Sequence, residues 1–224
     1  MIIEKVTKKP LIQVVHKKTI NSVGLMRTEF PIDPGIQSNY MHGHADYNND
    51  GTLDSKKEIV TYLSPSASWA AGAMISNLDD LSKWAKAYVD GDLISKELHS
   101  QVLSDCLPSA PDYGASYCLG LVKLTWPFNT ADTSKWWFGH LGQINGYDNV
   151  VFRNTNQNIT IAMTNNNYYI NTPVEEGNGI LIFDLLDIVD PLTAQTTSEK
   201  SSGKATSSRL KRSVQLNPED LGGQ

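Results

Sequence analysis

The stretch Gly139-His140-Leu141-Gly142-Gln143-Ile144-Asn145-Gly146-Tyr147 gathers three glycines and one histidine directly after an aromatic run, Trp136-Trp137-Phe138. Glycine on a strand lets another backbone or a ligand approach closely. A histidine beside such a strand can hydrogen-bond, or carry charge, near a bound carboxylate. The plainer alternative is a tight turn whose histidine merely packs. On spacing alone the tight turn is the preferred reading.

Other candidates carry less. Asp46-Tyr47-Asn48-Asn49-Asp50-Gly51-Thr52-Leu53-Asp54 follows the first nine positions of an EF-hand calcium loop, with oxygen ligands at alternating positions and glycine at the sixth. The twelfth position is Lys57, and Glu58 comes one residue late. An Asn-Asp-Gly hairpin turn is therefore the preferred reading. His42 and His44 flank Gly43, but two histidines without a third ligand make a poor zinc site. They are expected to be exposed loop residues, and no metal or cofactor is assigned. Trp136 and Trp137 should point to opposite faces of a strand, one into the core. Asn165-Asn166-Asn167-Tyr168-Tyr169 reads as a polar turn. Cys106 and Cys118 are too few for a disulfide framework or metal cluster, and Cys118, in an apolar strand, is expected to be a free buried thiol.

These residues need a frame, and composition bounds it. A chain of 224 residues, 40% apolar and 19% charged, can bury one sizeable core, or a core plus a tail. A net charge of −5 argues against nucleic acid, which needs a concentrated basic surface. The basic cluster Arg209-Leu210-Lys211-Arg212 sits near the end of the chain. No apolar run has the length of a transmembrane span, and no secretory leader is evident. A complete chain would then be cytosolic, whereas a truncated one could have lost its signal.

Residues 1–6 read as a helix stopped by Pro10, without an N-cap, and a second helix covers 11–20. From Phe30 to Ser68 the chain is rich in proline, glycine and polar residues, which predicts long loops with a short hairpin. Ser76 with Asp79 predicts a capping pair. The helix it starts places Leu78, Leu81, Trp84, Ala85 and Tyr88 on one face and stops at Gly91. Ser95 caps a shorter helix through Leu103. Strands are predicted at 117–124 (apolar on both faces), 136–140, 147–153 and 158–163, the last two joined by a hairpin at 154–157. A closing helix spans 174–188. After Pro191 large apolar residues are scarce, so residues 1–190 are expected to form the domain and 191–224 a disordered tail. The order implies an α+β fold, an antiparallel sheet flanked by helices.

Four segments resemble the serine β-lactamase and D-alanyl-D-alanine carboxypeptidase family, in that family's order. Gly24-Leu25-Met26-Arg27-Thr28-Glu29-Phe30 is similar to its "PLGM--T-F" turn. Ser68-Trp69-Ala70-Ala71-Gly72-Ala73-Met74-Ile75-Ser76-Asn77-Leu78-Asp79-Asp80-Leu81 is similar to "aGgm-S-t--Dl--f". Tyr117-Cys118-Leu119-Gly120-Leu121 resembles "YGLGL", and Phe138 to Tyr147 resembles "-GHtG---Gy". The flavour is that of the penicillin-binding, class C-like branch, and the resemblance implies a β-lactamase/transpeptidase-like fold.

It also implies that the intact protein is a serine hydrolase, acting through an acyl-enzyme on D-Ala-D-Ala peptides, β-lactams or small esters. The substrate would be a small molecule or a peptidoglycan peptide, and the compartment periplasmic or extracellular. By the same resemblance His140 would be an accessory catalytic residue, and His140, Gly142 and Gln143 would border the substrate. Leu141 stands where a hydroxyl residue is commonest, which weakens the expected anchoring of a carboxylate.

The family nucleophile, in Ser-x-x-Lys, and a Tyr-x-Asn motif would precede residue 1. The chain is thus expected to be the C-terminal portion, inactive alone, with a missing N-terminal half as partner. Ser201-Ser202-Gly203-Lys204, Tyr47-Asn48-Asn49 and Tyr147-Asp148-Asn149 fit these patterns in an unstructured tail, a polar loop and a strand, and are set aside. The alternative is a non-catalytic module that binds cell-wall peptide or is stabilised by calcium.

Overall fold

The computed structural model describes residues 2–31, 40–48, 50, 52, 54, 56–61, 65–110, 114–168 and 178–189. The chain forms two compact units, 1–184 and 185–224. The expected tail, the predicted helix start at 174–177 and Ser201–Lys204 lie outside the described residues.

The first helix, α1 (Ile2–Thr7), buries none of its side chains. It ends where Lys8 adopts a positive φ, and the Glu4 carboxylate accepts from the Leu11 amide at 3.0 Å. Next, α2 (Leu11–Val15), a π turn (His16–Ile20) and α3 (Asn21–Val23) make one helical run, closed by left-handed Gly24. Leu11 packs with Phe30 and Ala73, with Ile12 and Val15 against them.

Within the loop-rich part, β1 is only His44–Ala45. It makes an antiparallel bridge to Ile59 and pairs in parallel with β8 (Asn167–Tyr168). The segment 165–169, predicted to be a simple turn, therefore contributes a short strand. A 3-10 helix covers Pro65–Ala71.

The helix α4 (Leu78–Val89) is capped one residue later than predicted. Asn77 Oδ1 accepts from the Asp80 amide at 2.9 Å, while the Ser76 hydroxyl is engaged with that of Thr28. The buried positions are Asp80, Ala85 and Val89, and Leu78 is exposed. The face rotates because Asp80 turns inward. Its carboxylate accepts from the Arg27 amide at 2.6 Å and the Thr28 hydroxyl at 3.0 Å, which fastens the 24–30 turn to the helix. Burial pushes this carboxyl up, but those hydrogen bonds and Lys83 outweigh it and hold it below its ordinary value. Ser95 caps α5 (Lys96–Ser104) as predicted.

Six antiparallel strands follow in simple sequence order: β2 (Leu107–Ala110), β3 (Ala115–Tyr117), β4 (Val122–Thr125), β5 (Trp136–Ile144), β6 (Tyr147–Asn154) and β7 (Ile159–Asn165). The predicted single strand at 117–124 is two strands joined by a tight turn. Gly120 has φ 82°, and the Cys118 amide donates to the Leu121 carbonyl at 2.7 Å. Glycine admits that left-handed backbone at little cost.

Cys118 is not a free thiol. It forms a disulfide with Cys106, linking the chain just after α5 to this turn. Periodicity could report that Cys118 is buried, but not that Cys106 comes beside it.

The sheet is covered on one face by α4, which packs on β5, β6 and β7. Val89, Val102, Cys118, Leu121 and Phe138 form the core there, with Trp136 against it. Trp137 is fully buried, as alternation predicts for one of the pair. The closing helix is α6 (Asn178–Val189), whose Phe183 stacks on Trp126 at 5.1 Å. No helix among the described residues is long and apolar enough to cross a membrane.

Candidate functional site

The three glycines of the 139–147 stretch serve three purposes. Gly139 pairs with Val122 on β4 and Phe152 on β6. A Cβ there would lie 1.9 Å from the Val151 carbonyl oxygen, so only glycine lets the strands close. At Gly142 a Cβ would meet nothing within 4 Å. Gly146 turns the β5–β6 hairpin with φ 83°, and its Cα face lies against Gly43 and Val60.

The pairing with β4 stops at Gly139, while the pairing with β6 continues to Ile144. From His140 onward β5 therefore has no strand on its β4 side among the described residues. Exposure changes at the same point. Residues 137–139 are buried, His140 is half-buried, and 141–144 are exposed, Leu141 at 37% and Ile144 at 39%. The structure thus brings His140, Gly142 and Gln143 together along one open strand edge.

Both ring nitrogens of His140 are engaged. Nδ1 lies against the Leu141 carbonyl oxygen, and Nε2 is 3.1 Å from the Tyr117 hydroxyl. The two rings meet edge to face, 5.7 Å apart and 85° between planes. Tyr117 reaches this place through register. It pairs with Val122, which pairs with Gly139, one residue before His140. Sequence reasoning used Tyr117 only as part of a matching segment. The signal that could have singled it out was a polar-tipped aromatic at the end of a very short strand.

The segment carrying His42 and His44 is fixed beside the hairpin turn. The Tyr147 hydroxyl donates to the Met41 carbonyl at 2.8 Å, and Asn166 Nδ2 donates to the His42 carbonyl at 2.8 Å. His42 Nδ1 pairs with the Thr61 hydroxyl at 3.2 Å. His42 is exposed as predicted. His44, however, is half-buried in β1 rather than exposed in a loop.

In the calcium-like segment the oxygens turn onto the loop's own backbone. Asn48 Oδ1 accepts from Asp50, Asp50 Oδ1 from Thr52, and buried Glu58 accepts from both Tyr47 and Asp54. Asn49 and Gly51 lie outside the described residues. Among the described residues no three His, Cys, Asp or Glu side chains are grouped to hold a metal.

The β-lactamase family model matches residues 1–183. The chain belongs to the β-lactamase family. No curated protein matches it by sequence.

Among solved structures, a D-stereospecific amidohydrolase from a Streptomyces species is similar at 24% identity and TM-score 0.64, over 74% of this chain and 46% of that one. The D-amino acid amidase from Ochrobactrum anthropi, in complex with L-phenylalanine amide, has 19% identity and TM-score 0.63, over 90% and 55%. An octameric penicillin-binding protein homologue from Pyrococcus abyssi has 23% identity and TM-score 0.57, over 74% and 35%. At these identities the likeness is one of fold. The chain spans about half the length of the first two.

Proposed function

We propose that this chain supplies one wall of the active site of a serine hydrolase that cleaves amide or ester bonds of small D-amino acid derivatives and peptides. The observation that carries this is the open edge of β5. An unpaired strand edge offers backbone groups to an extended substrate, and His140, Gly142 and Gln143 lie along it. Gly142 leaves room for the ligand, Gln143 can hydrogen-bond its polar groups, and His140 supports the acid–base network.

Leu141 provides no hydroxyl for a carboxylate. Amides and small esters therefore fit the edge better than D-Ala-D-Ala peptides or β-lactams, and a peptidoglycan peptide stands second. The names of two structural neighbours, an amidohydrolase and an amidase, agree with that order.

The serine, lysine and tyrosine of the acyl-transfer chemistry belong, on this proposal, to the portion of the structural neighbours that this chain does not span. The Ser-x-x-Lys patterns beginning at Ser201 and Ser208 lie outside the described residues. Ile2 and Val6 of α1 and Met26 are 77–84% exposed, as apolar side chains that a complementary portion would cover. The disulfide fits the periplasmic or extracellular compartment expected of the family.

The test incubates the chain with a fluorescent penicillin, a chromogenic ester and a D-amino acid amide. It is run alone and with the polypeptide encoded immediately upstream, with an H140A control. Turnover is expected only in the mixture and should fall at least about tenfold in H140A, a modest acid–base contribution. Covalent labelling of a serine in the chain alone would overturn this division of the site.

A further inference from the structure

We infer that the Leu141 carbonyl holds His140 as the Nδ1–H tautomer, and that Tyr117 is a positioning residue whose hydroxyl, donating to Nε2, leaves a hydrogen-bond acceptor at the open edge of β5. The inference rests on the proposed placement of that edge against substrate. Its geometry stands independently.

A neutral imidazole carries one N–H. The Leu141 carbonyl oxygen beside Nδ1 can only accept, so the proton belongs on Nδ1. Nε2 is then a lone pair, and the Tyr117 hydroxyl, 3.1 Å away, is the donor. With its proton directed at Nε2, the Tyr117 oxygen presents only lone pairs outward. That corner accepts from a substrate N–H, such as the amino or amide group of an amino-acid derivative. It does not donate to a carboxylate.

The phenol is 45% exposed, yet its backbone is held on every side. Tyr117 pairs with Leu107 on β2 and Val122 on β4. The next residue, Cys118, is fixed by the disulfide and by its hydrogen bond to Leu121. A surface aromatic that only packed would need none of this precision, and its loss would leave the Nε2 lone pair of His140 as it was.

The experiment is nitrogen-15 NMR of the five histidine side chains in the full chain, with His140 assigned by an H140N variant, in wild type, Y117F and Y117A. In wild type at a pH where the ring is neutral, His140 is expected to be a single Nδ1–H tautomer. Y117F keeps the ring and removes the donor, so the Nδ1–H tautomer should persist, held by Leu141, while the Nε2 resonance moves to that of an unbonded lone pair. Y117A should do the same, with unchanged circular dichroism showing that both variants fold. An Nε2–H tautomer in wild type, or an Nε2 resonance that does not move in folded Y117F, would overturn the inference. Because the readout requires no turnover, failure of the hydrolase proposal would leave the NMR result intact, and the reverse also holds.

Discussion

The two halves of β5 are made under opposite rules. Over Trp136–Gly139 the strand pairs with β4, β6 joins on its other side from Phe138, and Trp137 is fully buried. Phe138 sits opposite Arg153, whose guanidinium is 4% exposed. Arg153 makes two hydrogen bonds to Asp90, at 3.1 and 2.8 Å, a third to Asn158 and a longer fourth to the Thr160 hydroxyl. Asp90 also receives Lys86 and the Thr155 hydroxyl, each at 2.7 Å. Over His140–Ile144 one side is open and the polar groups have few protein partners. A buried polar network that is fully satisfied specifies structure, whereas unpaired strand groups at the surface are free to pair with another chain. The first half is the scaffold, and the second is the part left available.

Substitutions in the first half, or in the network packed beside it, should therefore cost stability, and those in the second half should not. The largest effect is expected for R153A. It leaves the partly buried Asp90 with only Lys86 as a cation, and breaking a buried pair costs about 3 kcal/mol or more. Urea unfolding would show it as a lower midpoint at unchanged slope. Next comes a contrast inside one strand. G139A forces a Cβ into the Val151 carbonyl and should cost about 3 kcal/mol, the upper range for overpacking. G142A meets nothing and should stay within about 0.5 kcal/mol, like other surface changes. Equal effects of the two would erase the distinction between the halves. Removing the Cys106–Cys118 bond in a C106S/C118S variant should cost up to about 3 kcal/mol, from the loop its 12-residue separation closes.

The sequence was most legible where one interaction dominates. Period and capping residues located α4, α5 and β5 to β7, because burial along one face repeats at a fixed interval. The fold class followed from their order, and the family from four short segments. Legibility failed where two weak local preferences compete, or where partners are distant in sequence. Ser76 and Asn77 both can cap α4, and the choice falls to Asn77 because Thr28 takes the Ser76 hydroxyl. The apolar run 117–124 conceals a turn, because Gly120 looks like an ordinary strand glycine until the register is known. The disulfide and the Tyr117–His140 contact join residues 12 and 23 apart, and no periodicity encodes either. His140, Gly142 and Gln143 are candidates by resemblance. The open edge on which their proposed role rests required the register at which β4 ends.

Acid should act through the scaffold half. Burial alone would push the Asp90 carboxyl up. The hydrogen bonds from Arg153, Lys86 and Thr155, with the Arg153 charge, outweigh it and hold the carboxyl well below the ordinary carboxylate range. A carboxylate whose folded-state value is depressed contributes stability above its unfolded value, near 4, and loses it as pH falls toward the folded value. Stability should therefore decline below about pH 4, where the unfolded chain takes up the Asp90 proton and the folded chain does not, in addition to the contribution of Asp80, shifted in the same direction. D90N should be less stable at neutral pH, with a shallower acid decline below pH 4. An acid limb of the same steepness in D90N would remove the Arg153 network as its source.

The smallest effect on stability is expected at the residue with the largest expected effect on function. His140 is half-buried, and its two hydrogen bonds go to a half-exposed tyrosine and to a carbonyl on its own strand. Water can replace both partners once the ring is gone, so H140A should change the unfolding midpoint by no more than the equivalent of about 0.5 kcal/mol. The comparison with R153A is then direct: two polar residues, on neighbouring and paired strands, whose substitution separates scaffold from site. If H140A destabilises the chain as much as R153A does, His140 is part of the packing, and the plainer reading of a histidine that merely packs beside a turn is correct. If stability holds while turnover in the reconstituted mixture collapses, the open half of β5 is maintained for its ligand.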